Sequence, residues 1–528
     1  LSTMKTKLLF FILFFNFINL NAQQKIYDFY GNPDYFINFK DHILFEGYTE
    51  EFGRELWKSD GTSNNTTLLS DINPGKEPSY PLLFEDYKVV FKNELYFVAG
   101  DKNSSNIWKT DGTTEGTIKI TNFANERVSK LAIVGNYVFF LVKLGNTHQQ
   151  VWRTNGSIEG PEMIKDITGY YTDPSFVGQL NGNFIFTISA ENVGSSRIWR
   201  SDGTTEGTYP ISPLLSGNGS GYSGTSSLSQ YITFNGKMYF IAKKDLYETD
   251  GTLENTKSIG GVFNAQSDLV DYSSAIEVNN NLYFIFFSAN KHKLSIWRFD
   301  PTNRTLNEIY THTSQKYFSP SNFIKIDNSL LFLSSNETGA ASLVSFDFAT
   351  YKVSNLKQLS NTIEQTDGFV YLFDCSKIFK INNNEYFISE IDKDKYSRKG
   401  WIFNRVLNTI ENISVLDNIR DAIVYNGDIY YAKGRKLWKY SNNLSTPLIE
   451  SRSSLVFYPN PTTDFVNLQT ENNNEFENAQ IFDLNGKLVS DETDFTTDKI
   501  DVSKLNPGTY ILKAKVNGVI VSKKIIKN

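Results

Sequence analysis

Cysteine is almost missing from this chain: Cys375 stands alone among 528 residues. A single thiol excludes an internal disulfide and a thiolate zinc site. Its setting, Leu372-Phe-Asp-Cys-Ser376, reads as a strand in which Cys375 is a small buried hydrophobe. Histidine is nearly as scarce. His42, His148, His292 and His312 keep none of the spacings of a metal site or a catalytic triad, and each reads as a loop or strand-surface residue. No Gly-x-Ser-x-Gly elbow and no P-loop occurs, because the glycines are spread among turns. The net charge of −6 provides no broad basic field, which argues against nucleic acid as a partner. Past the N-terminus, no segment is long and apolar enough to span a bilayer, so no transmembrane anchor is expected.

What the chain has in quantity is aromatic strand residues, 41 Phe and 29 Tyr, which suit a pleated, half-buried surface. They sit in a recurring phrase: Glu55-Leu-Trp-Lys-Ser-Asp-Gly-Thr62, Asn106-Ile-Trp-Lys-Thr-Asp-Gly-Thr113 and Arg197-Ile-Trp-Arg-Ser-Asp-Gly-Thr204, with weaker copies at 150–157 and 245–252. A phrase that returns every ~45–50 residues marks a fold built by repeating one unit. A second phrase precedes each copy, a turn followed by an alternating aromatic strand. Lys92-Asn-Glu-Leu-Tyr-Phe-Val98, Asn235-Gly-Lys-Met-Tyr-Phe-Ile241 and Asn426-Gly-Asp-Ile-Tyr-Tyr431 are clear examples, and nine such phrases can be counted. Asn-Gly and Asn-Asn between apolar runs are two-residue hairpin turns, since both residues tolerate positive φ.

The Trp phrase has its own mechanics. Strand alternation presents the Trp to one face of the sheet, where it would fill the wedge between neighbouring units. In Asp60–Gly61, Asp111–Gly112, Asp202–Gly203 and Asp250–Gly251, the Asp bonds its own backbone two residues on and Gly takes the left-handed conformation. Each unit then holds about four short strands that bury their faces only against neighbours. That arrangement is a β-propeller blade, and eight or nine blades fit best; a solenoid is the alternative. Trp57, Trp108, Trp152, Trp199 and Trp297 hold the aromatic position, Tyr247 and Phe346 replace it, and Trp401 and Trp438 are harder to place in register. The turn becomes Asn155-Gly156 in one copy and is lost after Gly251, although the strands persist. The phrase resembles the hyalin-like Glu-Leu-Trp-x-(Thr/Ser)-Asp-Gly-Thr repeat of large exported bacterial proteins, clearly over residues 53–256. That family implies no single activity.

Both ends carry addressing information. Lys5 and Lys7, the apolar run 8–15 and Leu20-Asn-Ala22 read as a signal peptide over 1–22, cleaved after Ala22, with Met4 as the natural start. The repeats occupy 23–449, and residues 450–456 form a polar linker. Alternating strands broken by Asn-Gly and Pro-Gly over 457–528 read as a small Ig-like β-sandwich. This tail closely resembles the type A C-terminal sorting domain of the type IX secretion system. The matching residues are Tyr458-Pro459-Asn460-Pro461, the hairpin at Asp483, Asn485 and Gly486, the strand around Pro507, Gly508 and Tyr510, and the basic pair Lys523–Lys524. The resemblance implies a Bacteroidota source, passage through the periplasm and recognition by the type IX machinery. The protein would then be released outside the cell or attached to surface lipopolysaccharide.

No catalytic residue and no metal ligand stands out. Asp60, Asp111, Asp202 and Asp250 offer hard oxygens for Ca²⁺, but one Asp per unit does not bring several oxygens within ~2.3–2.6 Å of one ion, so no cofactor is required. The Gly/Ser-rich tract from Gly217 to Gly224 reads as an inter-strand loop rather than a binding lid. The sequence therefore favours a secreted or cell-surface propeller that binds an extracellular glycan or protein. The alternative is a secreted polysaccharide hydrolase or lyase, which would need two carboxylates with Tyr or Arg at the channel mouth.

Overall fold

A computed structural model describes residues 23–528 apart from 83–86, 146–147, 169–176, 190–194, 217–230, 243–244, 262–271, 289–292, 314–320, 336–340, 360–376, 393–396, 420, 442–455, 470–475, 484–487, 493–498 and 517–518. The signal segment with Ala22, His292, Cys375, the Gly217–Gly224 tract, Asn485 and Gly486 fall outside the described residues. The chain divides into two units, Leu1–Ser441 and Asn442–Asn528. The boundary expected at 449/450 lies within 442–455, also outside them. Among the described residues, no helix is long and apolar enough to cross a membrane.

Among the described residues, the first unit is a succession of nine antiparallel sheets. Eight are meanders, at 34–70, 88–119, 127–168, 177–216, 231–261, 272–313, 321–358 and 377–412. The ninth combines both ends of the unit: Ala422–Tyr425, Asp428–Lys433 and Lys436–Ser441 form three strands, and Gln23–Asp28 pairs along the third. Asn-Gly and Asn-Asn close the first hairpins with both central residues at positive φ, as at Asn235 (49°) with Gly236 (72°) and Asn279 (50°) with Asn280 (60°).

Each pair of successive sheets encloses one cluster of buried apolar side chains. A further cluster joins Ile26, Tyr430 and Leu437 of the ninth sheet to Ile43, Phe45 and Trp57 of the first, so the succession closes on itself. Every sheet is thus apolar on both faces, and neither face is left to water.

All seven tryptophans occupy one position in this scheme. Trp57, Trp108, Trp152, Trp199, Trp297, Trp401 and Trp438 stand opposite Phe45, Phe97, Phe140, Phe186, Phe284, Ile388 and Tyr431 of the adjoining second strand. Tyr247 takes the same place opposite Phe240. In the seventh sheet Val344 stands opposite Phe332, so Val344 holds the position and Phe346 lies two residues farther along the same face. Each of these aromatics packs into the cluster shared with the preceding sheet. Trp57 Nε1 and Trp297 Nε1 are buried without a hydrogen-bond partner, which marks these rings as volume rather than polar contacts.

The third turn of a sheet docks on the sheet before it. Lys40 Nζ and Lys58 Nζ of the first sheet donate to Asp111 O (2.8 Å) and Gly112 O (3.0 Å) of the second. Lys92 Nζ donates to Asn155 O (3.2 Å), and Arg200 Nη1 to Gly251 O (3.4 Å). At ring closure a methyl group at Gly61 would collide with the Tyr430 hydroxyl, as one at Gly156 would with the Tyr96 hydroxyl of the second sheet. Where Asp-Gly has been lost, other groups dock in the same place. Arg304 bonds Glu248 (3.0 Å), Phe348 packs tilted against Tyr283 (4.5 Å between centroids) and Arg405 bonds Asp327 (2.7 Å).

In the second unit, Val456–Tyr458, Phe465–Gln469 and Lys499–Asp501 form a three-stranded sheet. Leu488–Glu492, Phe476–Phe482, Gly508–Val516 and Val519–Lys527 form a four-stranded sheet in that order. Val466, Ile500, Ile481, Leu512 and Ile525 meet in a common core.

Gly61 combines a φ of 92° with the close approach to Tyr430, so Gly61→Ala should cost about 1–3 kcal/mol in chemical denaturation. Gly135→Ala, at φ 56° in open space, should cost only about 1 kcal/mol. Equal losses at the two positions would show that docking does not demand the glycine.

Candidate functional site

The repeated Asp residues serve their own turns. Asp60 Oδ1 accepts from Thr62 N (2.8 Å) and Thr62 Oγ1 (2.7 Å), and Oδ2 accepts from Asn65 Nδ2 (2.6 Å). Gly61 N donates to Ser59 Oγ (3.0 Å), which lies 2.7 Å from Thr66 Oγ1. The same Asp-to-Thr bonds recur at Asp111, Asp202 and Asp250, and Asn155 makes them with Ser157. Hydrogen bonds from the Thr113 side chain and backbone hold the Asp111 carboxyl below its ordinary range. Among the described residues, no group of three or more His, Cys, Asp or Glu is placed to hold a metal. His42 pairs with Asp41 (2.7 Å) and His148 with Asp166 (3.4 Å), while His312 lies on the outer strand Thr305–Thr313.

These turns occupy one end of each sheet, together with the first hairpins. The opposite end carries the second hairpins and the crossovers between sheets, and here the first sheet assembles a different set of side chains. Asp34 opens its innermost strand, Asp34–Phe39, and stands opposite Glu46 of His42–Thr49. Arg54, at the start of the third strand, reaches back between them, with Nη1 3.3 Å from Asp34 Oδ2 and 3.7 Å from Glu46 Oε2. Glu46 is fully buried, and its Oε1 accepts from Leu82 N (2.9 Å) in the crossover to the second sheet. Burial raises its carboxyl to about 7, against the lowering influence of Leu82 N and Arg54.

Tyrosines surround this group. Tyr35 has φ 58°, and its backbone N donates to Oδ2 (2.8 Å) of Asp421, the residue just before the ninth sheet's strand Ala422–Tyr425. Tyr80 also has a left-handed backbone (φ 48°) and follows Ser79, whose N donates to Arg54 O (3.0 Å). Tyr30 meets Tyr48 edge-on at 5.4 Å, and the guanidinium groups of Arg435 and Arg54 lie over these rings at 5.7 and 5.9 Å. Tyr30, Tyr35 and Tyr80 remain 49%, 37% and 48% exposed, so all three rings can be reached from solvent. Two bulky residues with positive φ in one patch are an uncommon expense, of the kind that gathers at ligand-binding sites.

Glu55 holds the scaffold beneath them. Its carboxylate accepts from Ser79 Oγ (2.6 Å), Ile72 N (2.9 Å) and Asn73 N (3.3 Å), fixing the crossover that carries Tyr80 and Leu82. Burial raises this carboxyl too, to about 7, although those three bonds oppose the shift. Asn106, at the same place in the next repeat, also ties down its crossover, through Phe123 N (2.6 Å) and Thr121 Oγ1 (3.0 Å).

The repeat phrases give no sign of Asp34, Arg54 or Asp421. Glu46 does carry a signal, visible only when copies are compared by position. It follows the strand Phe at a place that Val98, Leu141, Ile241, Ile285 and Leu333 fill in other sheets. In the tail, Asn460 and Pro461 are exposed, Tyr510 Oη donates to Asn506 O (2.9 Å), Asp483 follows Phe476–Phe482, and Lys523 and Lys524 lie on Val519–Lys527. Pro507 and Gly508 lead into Gly508–Val516.

Residues 456–528 match the family described as the secretion system C-terminal sorting domain. The tail is therefore a type IX sorting domain. Its presence implies export by that machinery to the cell surface or the extracellular space. No curated protein matches the chain significantly. Among solved structures, the WD40 domain of SCAP from fission yeast is similar at TM-score 0.37 and 9% identity, over 80% of this chain and 98% of that one. Oligogalacturonate lyase from Vibrio parahaemolyticus is similar at TM-score 0.33 and 12% identity, over 58% and 86%. A puromycin hydrolase mutant complex is similar at 0.34 and 10%, over 71% of this chain, which spans only 58% of that protein. Likenesses this distant say nothing of what the present chain binds or does.

Two buried carboxyls held near 7 give stability a defined pH dependence. Their folded-state values lie above the ordinary 4.5, so the folded protein binds more protons between about pH 4.5 and 7. Stability should fall as pH rises through that window and level off above it. Glu46→Gln removes one of these charges and should flatten the fall by on the order of 2–3 kcal/mol, measured by urea melts at pH 5 and pH 8. An unchanged slope in the variant would refute the assignment.

Proposed function

We propose that the first unit is a nine-bladed β-propeller of hyalin-like repeats and that it binds an extracellular glycan on the face bearing the crossovers. The observation that carries this reading is the patch of Tyr30, Tyr35 and Tyr80 around the Arg54–Asp34 pair. A pyranose offers flat C–H faces edged by hydroxyls. Exposed tyrosine rings match the former at low entropic cost, and the guanidinium–carboxylate pair matches the latter. The left-handed backbone at Tyr35 and Tyr80 sets the direction in which two of the side chains leave the main chain.

A signal peptide over 1–22, cleaved after Ala22, takes the chain to the periplasm of a Bacteroidota cell. The Ig-like sorting domain of 457–528, joined through 450–456, then commits it to the outer membrane. There the propeller is released or held on lipopolysaccharide, facing the surrounding polysaccharide.

One observation favours a second reading, that the propeller is a polysaccharide hydrolase or lyase. A carboxyl raised to about 7 beside an Arg-paired carboxylate is the pattern of a general acid with an ionised partner. Against it, Glu46 has no exposed surface from which to reach a glycosidic oxygen.

Calorimetric titration of the secreted protein with an oligosaccharide panel separates the two. Binding without release of reducing or unsaturated ends supports the lectin reading. Tyr30→Ala and Tyr80→Ala should then weaken affinity by about 1–3 kcal/mol each. Turnover that is abolished by Glu46→Gln supports the enzyme. No binding and no turnover across the panel would reject both.

A further inference from the structure

The opening motif of the sorting domain and the last residues of the chain are separate in sequence but hydrogen-bonded in the fold. Val519–Lys527 pairs with Gly508–Val516 along one edge over its whole length. At its C-terminal end, the other edge is taken up by the Tyr-Pro-Asn-Pro-Thr segment. Asn460 Nδ2 donates to Lys524 O (2.9 Å), and Asn460 Oδ1 accepts from Ile526 N (2.8 Å). Thr462 continues the seam, its N donating to Ile526 O (2.8 Å) and its O accepting from Asn528 N (2.9 Å). Thr462 itself is buried. One side-chain amide and one backbone unit thus satisfy four successive edge groups of the terminal strand, from Lys524 to Asn528.

The buried part of the seam is structural, but its outer side is not. Asn460, Pro461 and Lys524 are exposed, Ile526 is 37% exposed, and Tyr458, two residues before Asn460, is 44% exposed. Tyr458 and Ile526 are thus exposed apolar side chains on the two segments that these hydrogen bonds join, with Lys524 two residues before Ile526 on the same strand.

We infer that the export machinery reads this seam as one folded surface, made of Tyr458–Pro461 and Lys524–Asn528 together. Its partner is a protein surface with apolar seats for Tyr458 and Ile526 and a carboxylate facing Lys524. Neither the opening motif nor the basic ending acts as a linear tag. The order of folding follows: the last five residues must be in place before the opening segment can be recognised. The inference rests on the tail being the sorting domain of an exported chain.

The test is made with the full chain in the bacterium that produces it, comparing the periplasm with the surface and medium. Asn460→Ala breaks both side-chain bonds of the seam, while Tyr458→Ala and Ile526→Asp alter only exposed side chains. All three should lower external protein at least 10-fold and raise the periplasmic pool. The latter two should leave the protease resistance of the tail unchanged, so loss of fold cannot account for them. Deletion of 457–528 is the control. If the deletion is retained while Tyr458→Ala and Ile526→Asp are exported at the normal level, the composite surface is wrong and the sorting assignment stands. If the deletion itself is exported, the sorting assignment fails.

Discussion

A sheet can dock on its predecessor only if a turn of its backbone comes into direct contact with side chains already in place, and the ring depends on that contact. At Gly61 there is room for a hydrogen and for nothing larger, with the Tyr430 hydroxyl on the other side. The Asp-Gly-Thr phrase supplies what the contact needs. Asp60 and Thr62 keep the turn rigid by bonding within it, glycine allows the approach, and a free carbonyl receives a lysine or arginine from the neighbour. The aromatic at the head of the phrase fills the wedge that this docking leaves. Turn and tryptophan are therefore two halves of one joint in the sheets that carry the full phrase.

The later sheets show that the joint is what persists, not the motif. Arg304–Glu248, Phe348–Tyr283 and Arg405–Asp327 hold the same places with charge or ring contact. The local parts of this were legible in the sequence. Hairpin turns, strand alternation and the Trp phrase depend on residues a few positions apart, and nine strand phrases correspond to nine observed sheets. Substitutions were less legible, because a valine at 344 and a phenylalanine at 346 differ only in register, and register is fixed by the partner strand. The patch on the opposite end was not legible at all. Tyr35 and Asp421 are 386 residues apart and meet only because the ring closes. Only Glu46, a charge where the other copies carry uncharged residues, could have been found by comparing repeats.

The two ends of the ring thus divide their duties. The end with the Asp-Gly turns is uniform, self-bonded and committed to assembly. The other end varies from sheet to sheet and carries the buried acids and exposed tyrosines of the first sheet. Glu55 links the two roles, since it belongs to the repeat phrase yet anchors the crossover on which Tyr80 is presented. A surface built this way can change in one sheet without disturbing the joints of the other sheets.

The pairing of Gln23–Asp28 with Lys436–Ser441 has a consequence for how the protein comes apart. An open array of repeats has two end units, each with one neighbour, and it frays from those ends. Here the first strand of the chain completes the last sheet, so no unit is terminal and every unit has two neighbours. Loss of any one sheet uncovers two apolar faces at once, which makes a partly opened ring costlier than a frayed stack. Opening should therefore be rare and, once begun, run to completion. A molecule designed to persist outside the cell, where nothing will refold it, gains more from that all-or-none habit than from any single contact.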